Sequence, residues 1–193
     1  MTVVPVPDAT ARPAAPAKLR ILETADRLFT ADGIHSVGID RLIAESQVTK
    51  ATFYKHYGSK DRLIIDYVAH RHHAATTQAS DRVDAEAVVR GFVDDAFADM
   101  ERPGFRGDAF LNAAAEFPGT AHPVRTIVRQ HREWLAEQLT GALRTLGHPL
   151  PADAGDELLS ARDGALSGAY AGDPVAARAA LGRVLDRILA DVG

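Results

Sequence analysis

Lys50, Lys55 and Lys60, interleaved with Tyr54, His56 and Ser59, concentrate cations and hydrogen-bonding groups in one short stretch, TKATFYKHYGSK over residues 49–60. The set contains no thiol nucleophile and no pair of carboxylates. What it suits is recognition of a polyanion. Lysines supply charge opposite phosphate, and hydroxyl and imidazole groups hydrogen-bond to phosphate oxygens. At roughly 100° per residue in a helix, Phe53 and Tyr57 fall on one side and should point inward. Ala51, Thr52 and Lys55 point outward, with Tyr54 and His56 on the flanks. Small residues at the start of the outer face would let the backbone approach base edges. Thr49 is a good N-cap, because its hydroxyl can accept from the free amides of Ala51 or Thr52. Gly58 lets the chain turn before Lys60 opens another helix.

Such a helix has to be held from behind. Ile39, Leu42 and Ile43 recur at helical spacing and predict a helix over residues 39–46. Ser46-Gln47-Val48 interrupts it, and Val48 is apolar enough to plug the space between the two helices. Residues 39–60 therefore read as a helix-turn-helix whose second helix is built for the major groove of DNA.

The run from Lys18 to Leu63 resembles the DNA-binding domain of the TetR family of one-component transcriptional regulators. That domain has a first helix ending in an aromatic and a glycine, a helix-turn-helix, and a lysine opening the fourth helix. Here these parts are Ala25, Leu28-Phe29 and Gly33, then residues 39–46 and 48–57, then Ser59-Lys60. The resemblance implies base-edge contacts from Lys50, Ala51 and Thr52, and phosphate contacts from Thr49, Tyr54, His56 and Lys60. Two positions depart from the pattern. Gly38 stands where Ser or Thr often caps the second helix, which removes a possible phosphate contact. Ala51 stands where Gly is common, and its methyl could touch a thymine methyl.

Composition agrees with a globular protein: 46% of residues are hydrophobic and 25% charged. No apolar run is long enough for a transmembrane helix. Cysteine is absent, which excludes disulfides and thiolate metal sites and suits the cytoplasm. The net charge of −4 is unevenly spread. Residues 1–73 carry 10 Lys+Arg against 8 Asp+Glu, and residues 74–193 carry 12 against 18. A basic end on an acidic body suits docking of one face on a polyanion.

Residues 1–17, rich in Pro and Ala, are expected to be a disordered tail, with no secretory signal. Arg12 and Lys18 are read as solvated there. Residues 18–63 are expected to form the DNA-binding domain and 64–193 a helical effector-binding and dimerisation domain, with about nine helices in an all-α chain. Helices are expected over residues 18–32, 60–80, 84–101, 105–117, 122–146, 152–171 and 174–192. Asp173 is the N-cap of the last helix and Pro174 its first residue. The final pair is rich in small residues, among them Gly164, Gly168, Ala176 and Ala177, which permits close helix approach. The resemblance places a homodimer interface on these last two helices, usually a four-helix bundle.

His70 and His73 are helical neighbours, but the ligands for a structural zinc site cannot be assembled around them; a solvated helix face is the reading, and no metal or cofactor is expected. The chain lacks a Gly-rich phosphate loop, HExxH and GxSxG. Asp94, Asp95, Asp99 and Glu101 read as a solvated face rather than an acid/base pair, so no enzyme is expected. The resemblance implies a small-molecule effector among the middle helices. Candidate lining residues are Phe92, Phe97, Met100, Phe110, Asn112, His131 and Trp134. Asn112 and His131 stand out as polar groups in apolar helices, which need partners if buried. The expected function is a ligand-responsive repressor that binds a double-stranded DNA operator as a homodimer. The alternative is a helical small-molecule binder or adaptor that no longer recognises DNA.

Overall fold

A computed structural model describes residues 16–192. The tail expected over residues 1–17, with Arg12, lies outside the described residues, except that Pro16 is the N-cap of the first helix and Ala17 opens it. The chain is all-α. The described residues form nine helices: α1 (Ala17–Asp32), α2 (Ile39–Glu45), α3 (Lys50–His56), α4 (Lys60–Ser80), α5 (Ala85–Glu101), α6 (Ala109–Glu116), α7 (Pro123–Thr145), α8 (Pro151–Ala171) and α9 (Pro174–Ala190).

Local chemistry sets most of these boundaries. Ser59 accepts from the Arg62 amide, Asp84 from that of Ala87, and Asp173 from those of Val175 and Ala176. Each bond satisfies an amide that the first turn of a helix leaves free. Proline occupies the first turn of α7, α8 and α9, where no amide donor is missed. One expected helix is shorter than its apolar pattern. Residues 105–108 are not part of α6, because Gly107 has φ +81°, in the left-handed region, and Asp108 caps the helix by accepting from Phe110 and Leu111. At the other ends the expected bounds differ by a residue or two, as helix termini commonly do.

Two apolar cores hold the helices together. The first joins α1–α4 to the start of the body: Ile21, Leu28, Leu42, Phe53 and Leu63 pack with Phe110, Phe117, Val124 and Val128. The second joins α5, α8 and α9 to the distal half of α7 through Val89, Phe92, Leu139, Leu143, Leu158, Leu166 and Leu185. Helix α7 thus spans both cores along one face. Each fully buried Leu, Ile or Phe stabilises this arrangement by roughly 1.5–3 kcal/mol.

Candidate nucleic-acid interface and body cavities

Helix α3 is clamped from behind. Phe53 is fully buried and Tyr57 is 3% exposed. The Tyr57 hydroxyl donates to the Lys18 carbonyl at 3.0 Å, pinning the end of α3 to the start of α1. Burial, with Asp66 adding to it, pushes this phenol up to about 12, so it stays a donor. Thr49 Oγ1 accepts from the Thr52 amide at 3.1 Å. The turn before it is made by Gln47, a non-glycine residue in the left-handed region at φ +53°. Ser46, buried beneath that turn, donates to the Leu42 carbonyl at 2.6 Å. Arg41 reaches both Asp32 and Glu45, and Arg27 reaches Glu45, so α2 is tied to α1 by exposed ion pairs. Gly38 begins α2 without a side-chain cap.

The outer face of α3 is open to solvent. Thr49, Lys50, Ala51, Tyr54, Lys55 and His56 are exposed, and Thr52 is half-buried. Lys60 is placed differently from its expectation. Its ammonium donates to the Ile34 carbonyl at 2.7 Å and lies 5.9 Å from the centre of the Phe29 ring. Burial lowers its pKa. The side chain is committed to the loop after α1 rather than directed outward.

The body contains two adjoining chambers. The larger, about 310 Å³, is lined by four of the residues singled out in the sequence: Phe92, Phe110, His131 and Trp134. Asn112 lines the smaller, about 230 Å³. Phe97 and Met100 line neither; both pack on the second core, and Arg178 lies 4.2 Å from the centre of the Phe97 ring. His131 is 4% exposed. Its ring stacks on Phe110 at 3.7 Å, and its Nδ1 meets Nδ1 of His72 at 3.2 Å, one donating and the other accepting. Burial pushes His131 down to about 4, so the ring is neutral near pH 7. His72 is therefore turned inward and half-buried.

Charged groups in the walls were not legible in the sequence. Arg162 pairs with Asp108 at 3.0 Å inside the body. Burial alone would raise the Asp108 carboxyl, but Arg162 and the Leu111 amide hold it below its ordinary value. Arg71 pairs with Asp26 at 2.6 Å. Asp99, expected in water, lies between the chambers and pairs with Arg102; burial raises its carboxyl. The one available signal was weak: Arg162 interrupts a run of small and apolar residues.

A third feature is an open groove of about 460 Å³ along α8 and α9, lined by Ala161, Gly164, Gly168, Ala176, Ala177 and Val184. Among the described residues no three His, Cys, Asp or Glu side chains converge to hold a metal ion, and no helix is long and apolar enough to cross a membrane.

Residues 21–67 match the family model described as bacterial regulatory proteins, tetR family. No curated protein matches the chain. Among solved structures, a TetR-family transcriptional regulator from Streptomyces coelicolor is 39% identical, with 91% of this chain and 95% of that one covered and a TM-score of 0.85. A TetR transcriptional regulator from Legionella pneumophila shares the fold at 18% identity, with 94% and 100% covered and a TM-score of 0.79. Reduced NemR from E. coli does so at 16% identity, with 92% and 98% covered and a TM-score of 0.74. Identity of 39% across nine-tenths of the chain, joined to a clamped helix-turn-helix, places this protein in the TetR family of DNA-binding transcription regulators.

Proposed function

We propose that the chain is a cytoplasmic, homodimeric, ligand-responsive repressor. Residues 18–63 form its DNA-binding domain and residues 64–193 its effector-binding and dimerisation domain. Each subunit presents α3 to the major groove, with Lys50, Ala51 and Thr52 at base edges. Thr49, Tyr54, Lys55 and His56 contact phosphates, while Lys60 holds the loop behind them. One observation carries this reading: the polar outer face of α3 is exposed while Phe53 and Tyr57 hold its inner face. A helix so held offers its side chains without having to order itself first, which lowers the cost of binding. The second copy packs on the groove of small residues between α8 and α9, so that two heads meet one face of the duplex about 34–36 Å apart or a multiple of it. An effector in the body chambers favours a head spacing that mismatches the operator.

The test is fluorescence anisotropy on DNA selected by the protein from a random-sequence pool. The variant Lys50→Ala/Tyr54→Ala/Lys55→Ala should bind at least tenfold more weakly. It loses two phosphate-contacting lysines per dimer, one Lys55 from each copy, so the plot of log affinity against log salt should become shallower by roughly 2. Unchanged affinity and slope would remove α3 from the interface.

A further inference from the structure

The smaller chamber lies on the seam between head and body. Phe29, Thr30, Gly33 and Ile34 form its head wall, and Arg106, Asn112 and Glu116 stand on its body wall. The same body residues hold the head. Glu116 accepts from the Ile34 amide at 2.8 Å and from the His35 amide at 2.6 Å. Arg106 Nη1 donates to the Ala31 carbonyl at 3.2 Å. Arg106 and Glu116 therefore line the chamber and also hold the head, Arg106 at the end of α1 and Glu116 at the loop that follows it.

The charges of the wall are matched, with one exception. Arg71 is paired with Asp26, and Arg102 with Asp99. Glu116 is engaged by two amides, and Lys60 lies close enough to feel its charge. The Arg106 side chain is half-buried; it donates to Ala31 and lies 6.0 Å from the centre of the Tyr170 ring. Among the described residues no carboxylate pairs with it, although a guanidinium carries five donors. Asn112 donates to the Arg106 carbonyl at 2.8 Å and so fixes the loop that carries it. Beyond these groups the wall is largely apolar, with Phe29, Ile34, Tyr67, Phe105 and Ala113.

We propose that this seam chamber binds a small ring-bearing carboxylate, with Arg106 as its charge partner, and that the bound anion loosens the Glu116 hold on the head loop. A cavity of about 150 Å³ holds benzene; at about 230 Å³ the chamber admits a substituted ring. A methyl built on Gly33 would stand 3.3 Å from Glu116 Oε1 and 3.5 Å from Arg106 Nη1. A carboxylate on Arg106 therefore comes close to the Glu116 carboxylate, and like charges repel. The repulsion acts on the group that grips residues 34 and 35, which couples occupancy to the placement of the head. The inference rests on the ligand-responsive reading above and adds to it the class of effector and the residue that recognises it.

The experiment uses the full chain and a panel of substituted benzoates and phenylacetates, each with its primary amide and its benzylammonium counterpart. Calorimetry and thermal shift read binding, and anisotropy on the selected DNA reads release. At least one acid should bind tenfold or more tightly than its amide and weaken DNA binding tenfold. Arg106→Gln should erase the acid preference, and Arg106→Lys should retain part of it. The site is refuted if no acid binds, if acid and amide bind alike, or if Arg106→Gln leaves the preference intact. Failure of the wider reading shows differently, as a protein that binds no DNA in the absence of any ligand.

Discussion

His131 is neutral because it is buried, and that has a consequence in pH. The groups around it are His72, Asp108, Arg132 and Arg162. Its pKa lies near 4 in the folded chain against 6.5 when free, so between these values the unfolded chain binds the extra proton. Stability linked to His131 is therefore complete above pH 6.5 and is lost as pH falls towards 4, by about 3 kcal/mol in all. Urea titrations of wild type and His131→Gln should differ by that much more at pH 7 than at pH 4; parallel curves would show that His131 is not held neutral. Thr49 acts on a smaller scale. Thr49→Ala removes the acceptor for the Thr52 amide and should cost about 1 kcal/mol, measured by chemical denaturation. Lys60 marks the limit of reading single residues. A lysine at the start of a helix looks like a phosphate contact, and only the fold reveals the Ile34 carbonyl beneath it.

At the scale of elements, α3 is short, and what fixes it is the ring of Phe53 in the head core. Phe53→Ala should destabilise the head by roughly 3–5 kcal/mol. Hydrogen exchange should then show loss of protection in α1–α4 before α8 and α9. Periodicity made the helix-turn-helix legible, because Phe53 and Tyr57 at i, i+4 can share only one face. The caps Thr49 and Asp173 were equally legible, since their chemistry is local. The start of α6 was not. Phe105 continues the apolar spacing, but the turn at Gly107 and the Asp108 cap take precedence over it. Of the residues singled out in the middle helices, four line one chamber, whereas the pairing of Arg162 with Asp108 is separated by 54 positions and leaves no local trace.

At the scale of the molecule, the head is not an independent appendage. Phe110, Phe117, Val124 and Val128 complete its core from α6 and α7, so packed side chains run without a break from the seam to α3. The proposed dimer is tested at Gly164, where an added Cβ meets nothing within 4 Å inside the subunit. Gly164→Leu should fold normally, yet sediment as a monomer and bind DNA at least tenfold more weakly; a dimer of unchanged affinity would move the interface off α8 and α9. The claim on which function turns is that two copies of α3 sit in two successive major grooves. Methylation interference on the selected DNA tests this most directly, because guanine N7 lies in the major groove. The helix-in-groove reading predicts two patches of interference on one face of the duplex, centred about one helical turn or a multiple of it apart, and both lost with the Lys50, Tyr54 and Lys55 triple variant. Uniform interference, a single patch, or patches that persist in that variant would contradict it.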